Sequence, residues 1–297
     1  MSAIQRICLL GFGEVGQTLA SDFRAAGVTR LVAFDLLFQD PQSACSQAAK
    51  AADVRMAASA AEAAAEADLI ISAVTAAQDL AAARSVAGAV KPGGYFLDVN
   101  SVSPGVKAQA ADLIDVGGAR YVEAAIMSPI SPKRVGSPML FGGKHAEQFL
   151  PLAQQLGFTG ARFFSDQIGR ASAAKMCRSV MIKGMESLLT ESLLAARHYG
   201  VEATVIDSLR NLFPAADWSA LARYMISRSL IHGRRRAEEM REVAQTVREA
   251  GMQPHMSAAS AQRQDWAAAY RDAAAIEDLE PMLDAVLARA HAENTAE

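Results

Sequence analysis

Three glycines near the start of the chain hold the first, third and sixth positions of the segment Gly11–Gly16. The segment follows the apolar run Ile7–Leu10, which predicts a buried strand, and precedes a sequence of helical character. A glycine turn between a strand and a helix N-terminus presents backbone N–H groups to the pyrophosphate of a dinucleotide. The residues expected to make these contacts are Gly11, Phe12, Gly13, Glu14, Val15 and Gly16.

A carboxylate follows the glycine turn at the distance expected for ribose recognition, roughly 20 residues. The segment Arg30–Asp35 predicts a second parallel strand that ends in Asp35. An acid at this place accepts hydrogen bonds from ribose hydroxyls and repels a 2′-phosphate, so NAD is favoured over NADP. The alternative is a solvated aspartate at a strand end. Val74 and Thr75, at the end of the apolar strand predicted over Asp68–Val74, complete the expected cofactor contacts.

A polar loop, Asp98–Pro104, follows another predicted strand and opens a helix. Ligands of doubly wound sheets bind at such strand ends. Ser103 followed by proline is a helix N-cap, and capping alone would explain that serine. Asn100 and Ser101 exceed what a cap needs, and we expect them to donate hydrogen bonds to a substrate carboxylate near the helix N-terminus.

A lysine early in a long predicted helix is the candidate proton carrier. Lys175, Ser179 and Lys183 are spaced four residues apart and therefore share one helix face. Small alanines surround Lys175, which permits close approach of another element. A lysine desolvated in a cleft has a lowered pKa and exchanges protons near neutrality. A solvated surface lysine is the alternative.

The elements that must position these residues fall into two groups. Alternating strands and helices over residues 1–166 predict a Rossmann-type α/β domain with a doubly wound, mostly parallel sheet. A long helix is predicted over Ile168–Tyr199. Residues 167–297 predict an all-helical domain for substrate binding and dimerisation, with breaks near Pro214, residues 251–254 and Pro281.

Composition narrows the class of protein. The 297 residues carry a net charge of −3 and are 51% hydrophobic, which predicts a globular protein without nucleic-acid partners. The absence of a long apolar run predicts no membrane span. Three widely spaced cysteines predict neither a disulfide framework nor a metal site, and they favour a reducing compartment, the cytoplasm.

Three segments in this order and spacing, GFGEVG, DVNSVSP and GRASAAK, resemble the β-hydroxyacid dehydrogenase family. That family includes 3-hydroxyisobutyrate dehydrogenases, tartronate semialdehyde reductases and, more distantly, 6-phosphogluconate dehydrogenases. The resemblance covers residues 4 to 200, and residues 135–143 are similar to a further family strand. Beyond it, residues 191–197 and 232–240 are similar to a branch whose C-terminal domain is phosphogluconate-dehydrogenase-like.

The resemblance implies a two-domain NAD(P)-dependent dehydrogenase or reductase that acts on a small hydroxy acid and forms homodimers. Matched by position, Lys175 takes the role of the catalytic lysine, and Asn100 and Ser101 take those of the substrate loop. Ser179 stands where the family has asparagine. Ser128 belongs to a substrate segment, residues 123–129, that here lacks the family's glycine pair.

Two other functions remain open at this stage. An imine reductase shares the fold, although such enzymes generally lack the lysine found here at position 175. A non-catalytic dinucleotide sensor is compatible with the serine at position 179. Ile182 replaces an acidic residue of the 6-phosphogluconate dehydrogenases, which argues against 6-phosphogluconate as substrate. The basic cluster of His232 and residues 234–236 predicts either a solvated, salt-bridged helix face or an anion site.

Overall fold

The computed structural model describes residues 4–209 and 217–294. The chain divides into two compact units, Met1–Met176 and Cys177–Glu297. The predicted domain boundary at residue 166 stays a prediction. Among the described residues, no helix has the length and apolar character needed to cross a membrane.

One eight-stranded sheet forms the centre of the first unit. Its strands are β1 (Arg6–Leu10), β2 (Arg30–Phe34), β3 (Arg55–Met56), β4 (Leu69–Ser72), β5 (Tyr95–Asp98), β6 (Arg120–Ile126), β7 (Met139–Gly142) and β8 (Ala161–Ser165). Their order is β3-β2-β1-β4-β5-β6-β7-β8, and every neighbouring pair is parallel except β6 and β7. The doubly wound, mostly parallel sheet predicted from the sequence is therefore confirmed.

Six helices connect these strands: α1 (Glu14–Ala25), α2 (Ala44–Ala51), α3 (Ala60–Ala64), α4 (Asp79–Val86), α5 (Pro104–Val116) and α6 (Ala146–Gln155). Both faces of the sheet are buried. Ile7 and Leu9 of β1 belong to one apolar cluster, whereas Cys8 and Leu10 belong to the cluster on the opposite face. Near-continuous apolar strands are expected where helices cover both faces.

The strand order reverses at β1: β2 and β3 lie on one side of it, and β4 and the later strands lie on the other. The carboxyl ends of β1 and β4 therefore border the crevice at which ligands bind in open α/β sheets. Gly11 follows β1 directly, and the backbone N–H of Ala73 donates a hydrogen bond to Leu10 O at 2.8 Å. The glycine turn thus lies at this crevice.

The described part of the second unit consists of helices joined by short connections. Helix α7 (Arg170–His198) begins in the first unit, and α8 (Glu202–Leu209), α9 (Trp218–Glu249), α10 (His255–Ala267) and α11 (Leu279–Asn294) follow. Their core includes Leu193, Ile226 and Met282, each fully buried. The all-helical character predicted for this region agrees with these elements.

Four features of the secondary structure differ from the sequence predictions or lie outside the described residues. The break predicted near Pro281 lies at residues 276–278, just before α11, and Pro281 itself is in the first turn of α11, where a helix leaves N–H groups without intrahelical partners and tolerates proline. The break expected near Pro214 lies outside the described residues. Helices α2 and α6 were not predicted, because their short apolar patterns are interrupted by polar residues. The sequence from Gln78 to Val90 predicts a helix that stops at the turn residues 91–94, whereas α4 ends at Val86.

Candidate active site

The glycine turn is shaped by two close backbone approaches and one open position. Gly11 has a φ of +89°, and a Cβ there would collide with the carbonyl oxygen of Ala73. A Cβ on Gly16 would collide with the carbonyl oxygen of Gly11, since helix α1 packs directly on the turn. A Cβ on Gly13 would meet no atom within 4 Å. The fold therefore requires glycine at positions 11 and 16, whereas position 13 faces space that a ligand can fill.

Asp35 lies against this turn. Its Oδ2 accepts a hydrogen bond from the backbone N–H of Phe12 at 2.7 Å, and its Oδ1 accepts one from Leu37 N–H at 2.9 Å. The side chain is half-buried at the end of β2. The structure therefore brings the predicted ribose acid and the predicted pyrophosphate turn together at one edge of the sheet.

Asn100 joins the loops that follow β4 and β5. Its Oδ1 accepts a hydrogen bond from the backbone N–H of Val74 at 2.7 Å. Its Nδ2 donates to Ser72 Oγ at 2.9 Å and to Asp79 Oδ1 at 2.6 Å. Thr75 follows Val74 and precedes a short 3-10 helix. The Asn100 side chain, only 4% exposed, thus holds the protein's own loops in this structure, and a substrate contact stays a prediction.

Lys175 and Ser101 meet although they are 74 positions apart in the sequence. Lys175 Nζ donates a hydrogen bond to Ser101 Oγ at 2.6 Å, and both side chains are half-buried. Ser103 caps α5 through a hydrogen bond from Val106 N–H, and Pro104 opens the helix, as the sequence predicts. The polar loop and the lysine helix are therefore in direct contact.

Three contacts fix the start of α7 and so the position of Lys175. The carboxylate of Glu123 accepts a hydrogen bond from Ala171 N–H at 3.0 Å. Ser172 Oγ donates a hydrogen bond to the carbonyl oxygen of Val102. Gly169, with a φ of +90°, brings the chain so close to Pro104 that a Cβ would lie 3.0 Å from the proline ring. The helix is anchored to both β6 and the polar loop.

Sequence reasoning missed a buried polar cluster behind these loops. It consists of Asp79, Asp98, Lys107, Tyr121 and Glu123, none more than 2% exposed. Lys107 Nζ lies 2.6 Å from Asp98 Oδ1, and the Tyr121 hydroxyl donates to Asp98 Oδ2 at 2.7 Å. Burial raises the pKa of Glu123, although Lys107 and the N–H groups of α7 oppose the shift. A single charged residue within an apolar strand, such as Asp98 in β5, is the sequence signal that could have predicted this cluster.

Ser128 has a local partner, because its Oγ donates to the carbonyl oxygen of Pro129 at 2.9 Å. Ser179 is a buried residue of the second unit. The substrate roles of both serines stay predictions.

The basic cluster of the second unit contains a buried ion pair. Arg236 pairs with Glu186, and Lys183 pairs with Glu239. Burial and the surrounding arginines lower the pKa of His232 to about 4. Ion pairs are present, as one of the two interpretations expected, but Arg236 and Glu186 are buried rather than solvated.

Comparison with known proteins adds independent findings. A family model described as the NAD binding domain of 6-phosphogluconate dehydrogenase matches residues 6–168. A second model, described as a domain of unknown function, matches residues 196–267.

Two solved structures and one enzyme illustrate the similarity. A conserved hypothetical protein from Sinorhizobium meliloti 1021 is 35% identical, with a TM-score of 0.72 over 95% of this chain and 96% of its own. A conserved protein of unknown function, reported to be structurally similar to 3-hydroxyacid dehydrogenases, is 32% identical, with a TM-score of 0.68 over 88% of this chain and 96% of its own. Mitochondrial 3-hydroxyisobutyrate dehydrogenase of Homo sapiens is 22% identical over 216 residues, which cover 71% of this chain and 62% of that enzyme.

The NAD-binding model covers more than half of this chain, and the two solved relatives align with most of it. This chain belongs to the β-hydroxyacid dehydrogenase family and is an NAD(P)-dependent dehydrogenase or reductase.

Proposed function

We propose that the protein transfers a hydride between NAD and the CH–OH or carbonyl carbon of a small hydroxy-acid-like substrate, with Lys175 as general acid and base. The observation that carries the proposal is the 2.6 Å hydrogen bond from Lys175 Nζ to Ser101 Oγ. It places the only lysine of the GRASAAK segment at the polar loop that ends β5, next to the edge at which doubly wound sheets bind ligands.

The residues at this edge fit a dinucleotide. Open space at Gly13, beside the backbone N–H groups at the start of α1, would accommodate a pyrophosphate. Asp35 would hold the adenosine ribose, and its negative charge favours NAD over NADP. Val74 and Thr75, on the other side of the crevice, would complete the contacts. The nicotinamide, when bound there, would supply the hydride chemistry of the reaction.

The protein's own part in the reaction is to orient the substrate and to move one proton. Lys175 takes the proton of the substrate hydroxyl at Nζ during oxidation and returns it to the carbonyl oxygen during reduction. Ser101 keeps the lysine side chain directed at the loop through its hydroxyl. The N-terminus of α5, capped by Ser103, adds a positive field that favours a substrate carboxylate nearby.

Asn100, Ser128 and Ser179 complete the proposed substrate site. The hydrogen bonds of Asn100 support a role in which it positions the loops on which the other groups depend. Ser128 would reach substrate by releasing its contact with the Pro129 carbonyl. Ser179, one helical turn after Lys175 on α7, takes the place of the family's asparagine.

A panel of substrates tests the proposal. NADH fluorescence is followed while purified protein is mixed with small hydroxy acids and NAD, with the matching keto acids and aldehydes and NADH, and with cyclic imines and NADH. We expect turnover with at least one hydroxy acid or its carbonyl partner. Turnover confined to imines would show an imine reductase, and tight NADH binding without any turnover would show a sensor.

We also propose that the protein works as a homodimer in the cytoplasm. In the second unit, α7 exposes Met181 and Leu188 and α9 exposes Tyr224 and Ile231, with exposed fractions between 37% and 64%. The two residues of each pair are seven positions apart, which gives each helix an apolar stripe suited to a second copy of this chain. The free cysteines support the cytoplasm, because they are compatible with a reducing compartment. Light scattering should give a dimer mass that Leu188→Glu converts to a monomer mass, and a monomeric unaltered protein would refute the dimer.

A further inference from the structure

Two buried carboxyl groups face each other behind the candidate site. Asp79 begins α4 and is 2% exposed, and Asp98 ends β5 and is fully buried. Both accept hydrogen bonds from Asn100: Asp98 from its backbone N–H at 3.0 Å and Asp79 from its side-chain amide at 2.6 Å. The charge of Asp98 acts on Asp79, and two ionised carboxylates buried beside one donor repel each other, which favours a proton on one of them.

Asp98 is the member of the pair that is supplied with donors. Its Oδ1 accepts from Lys107 Nζ at 2.6 Å and from Asn100 N–H at 3.0 Å. Its Oδ2 accepts from the Tyr121 hydroxyl at 2.7 Å. A carboxylate with a lysine partner and two further donors is stable in its ionised form.

Asp79 has the opposite environment. Its Oδ1 accepts from Asn100 Nδ2 at 2.6 Å, but its Oδ2 is buried and receives no hydrogen bond from the described residues. An ionised oxygen left in this way carries a large desolvation cost, whereas a protonated oxygen becomes a donor. We propose that Asp79 is a positioning residue whose carboxyl keeps a proton up to about neutral pH, directs it to Asp98 as a hydrogen bond, and thereby fixes Asn100 and the loops of the active site.

The charges around Asp79 support this assignment. Asp98 of β5 and Lys107 of α5 act on it directly, and Tyr121 and Glu123 of β6 lie behind them. Burial, and after it the charge of Asp98, raise the pKa of Asp79 to about 7, while Lys107 and Asn100 oppose the shift. The proton of Asp79 therefore titrates close to physiological pH.

Loss of this proton would reach the cofactor site through Asn100. The Asn100 side chain accepts a hydrogen bond from Val74 N–H and donates to Ser72 Oγ and Asp79. The residue after it, Ser101, is the partner of Lys175. Ionised Asp79 would repel Asp98 and remove the bond between them, so the loops after β4 and β5 would loosen. This consequence rests on the proposed cofactor contacts at Val74 and Thr75, and it predicts weaker NADH binding at alkaline pH.

The test compares NADH affinity in the unaltered protein, Asp79→Asn and the control Asp112→Asn across about pH 6 to about pH 9. An asparagine amide can donate to Asp98 and accept from Asn100, so it imitates protonated Asp79 at every pH. Asp112 is an exposed aspartate on α5. We expect the Kd of the unaltered protein and of Asp112→Asn to rise by up to about tenfold per pH unit above about pH 7, and that of Asp79→Asn to stay constant. Parallel profiles in all three proteins would overturn the proposal.

Urea unfolding without cofactor separates this proposal from the proposed function. A carboxyl with a raised pKa in the folded state keeps its proton there after the unfolded chain has lost it, so it binds more protons when folded. Stability therefore falls as pH rises from about 4, the unfolded pKa, to about 7, and then levels. We expect the stability of the unaltered protein relative to Asp79→Asn to fall over this range, even if no variant binds NADH. A constant difference, or failure of Asp79→Asn to fold while Asp112→Asn folds, would show that Asp79 does not hold the proton.

Discussion

Glu123 Oε1 accepts a hydrogen bond from the backbone N–H of Ala171 at 3.0 Å, so a side chain of β6 caps the first turn of α7. The N–H groups of Ser172 and Gly169 also interact with this carboxylate. Lys175 lies one helical turn beyond Ala171. The position of the proposed proton carrier therefore depends on a buried acid in the middle of the sheet.

Replacing this cap should impair both stability and catalysis. We expect Glu123→Ala to lower the free energy of unfolding by about 1–2 kcal/mol, as for loss of a helix cap, and to lower kcat because Lys175 loses its fixed position. Urea denaturation and steady-state kinetics measure the two effects. Glu147→Ala is the control, since Glu147 is an exposed acid in the first turn of α6. Equal effects of the two substitutions would argue against the cap.

The glycine turn offers a pair of substitutions with opposite expected results. Gly13→Ala places a methyl group in open space at the N-cap of α1, so it should cost no more than about 1 kcal/mol of stability while NADH affinity falls by about tenfold or more. Gly11→Ala forces a positive φ and a backbone collision, and should cost about 1–3 kcal/mol of stability. Thermal melts and NADH titrations distinguish the two. Full NADH affinity in Gly13→Ala would mean that the pyrophosphate lies elsewhere.

Asp35 should decide between the two nicotinamide cofactors. We expect Asp35→Asn to raise the ratio of NADPH to NADH affinity by about 10-fold to 100-fold, because a like charge facing the 2′-phosphate is removed. The asparagine oxygen can still accept the Phe12 N–H, so the turn should keep its shape. Fluorescence titrations with both cofactors measure the ratio, with Asp40→Asn in the next loop as control. An unchanged ratio in Asp35→Asn would remove the ribose role.

The sequence predicted much of the fold because its signals are local. The glycine turn, the serine and proline at the start of α5, and the apolar strands each follow from neighbouring residues. The antiparallel pairing of β6 with β7 depends on register between distant segments, which no local pattern records.

The candidate site also contains residues that local sequence patterns predict and residues that they do not. Lys175, Ser101 and Asp35 carry recognisable types and spacing, and the structure brings Lys175 to Ser101. The buried acids that hold these residues in place were not predicted. Glu123 and Asp79 bond to partners that are 48 and 21 positions away in the chain. Asn100 shows the limit most clearly. Its residue type predicted a substrate contact, which stays a prediction, and no local pattern showed that its amide also holds Val74, Ser72 and Asp79.

The most direct test of the central claim measures kcat and NADH affinity in Lys175→Ala and Lys175→Arg, using the best substrate of the panel. Arginine retains the charge but cannot give up a proton, so both variants should lose about 10²–10⁴-fold in kcat. NADH affinity should stay unchanged in both, as should kcat in Lys50→Ala, a substitution at an exposed lysine of α2. Unaltered turnover in Lys175→Ala, or a loss of turnover explained by loss of NADH binding, would contradict the assignment of Lys175 as the proton carrier.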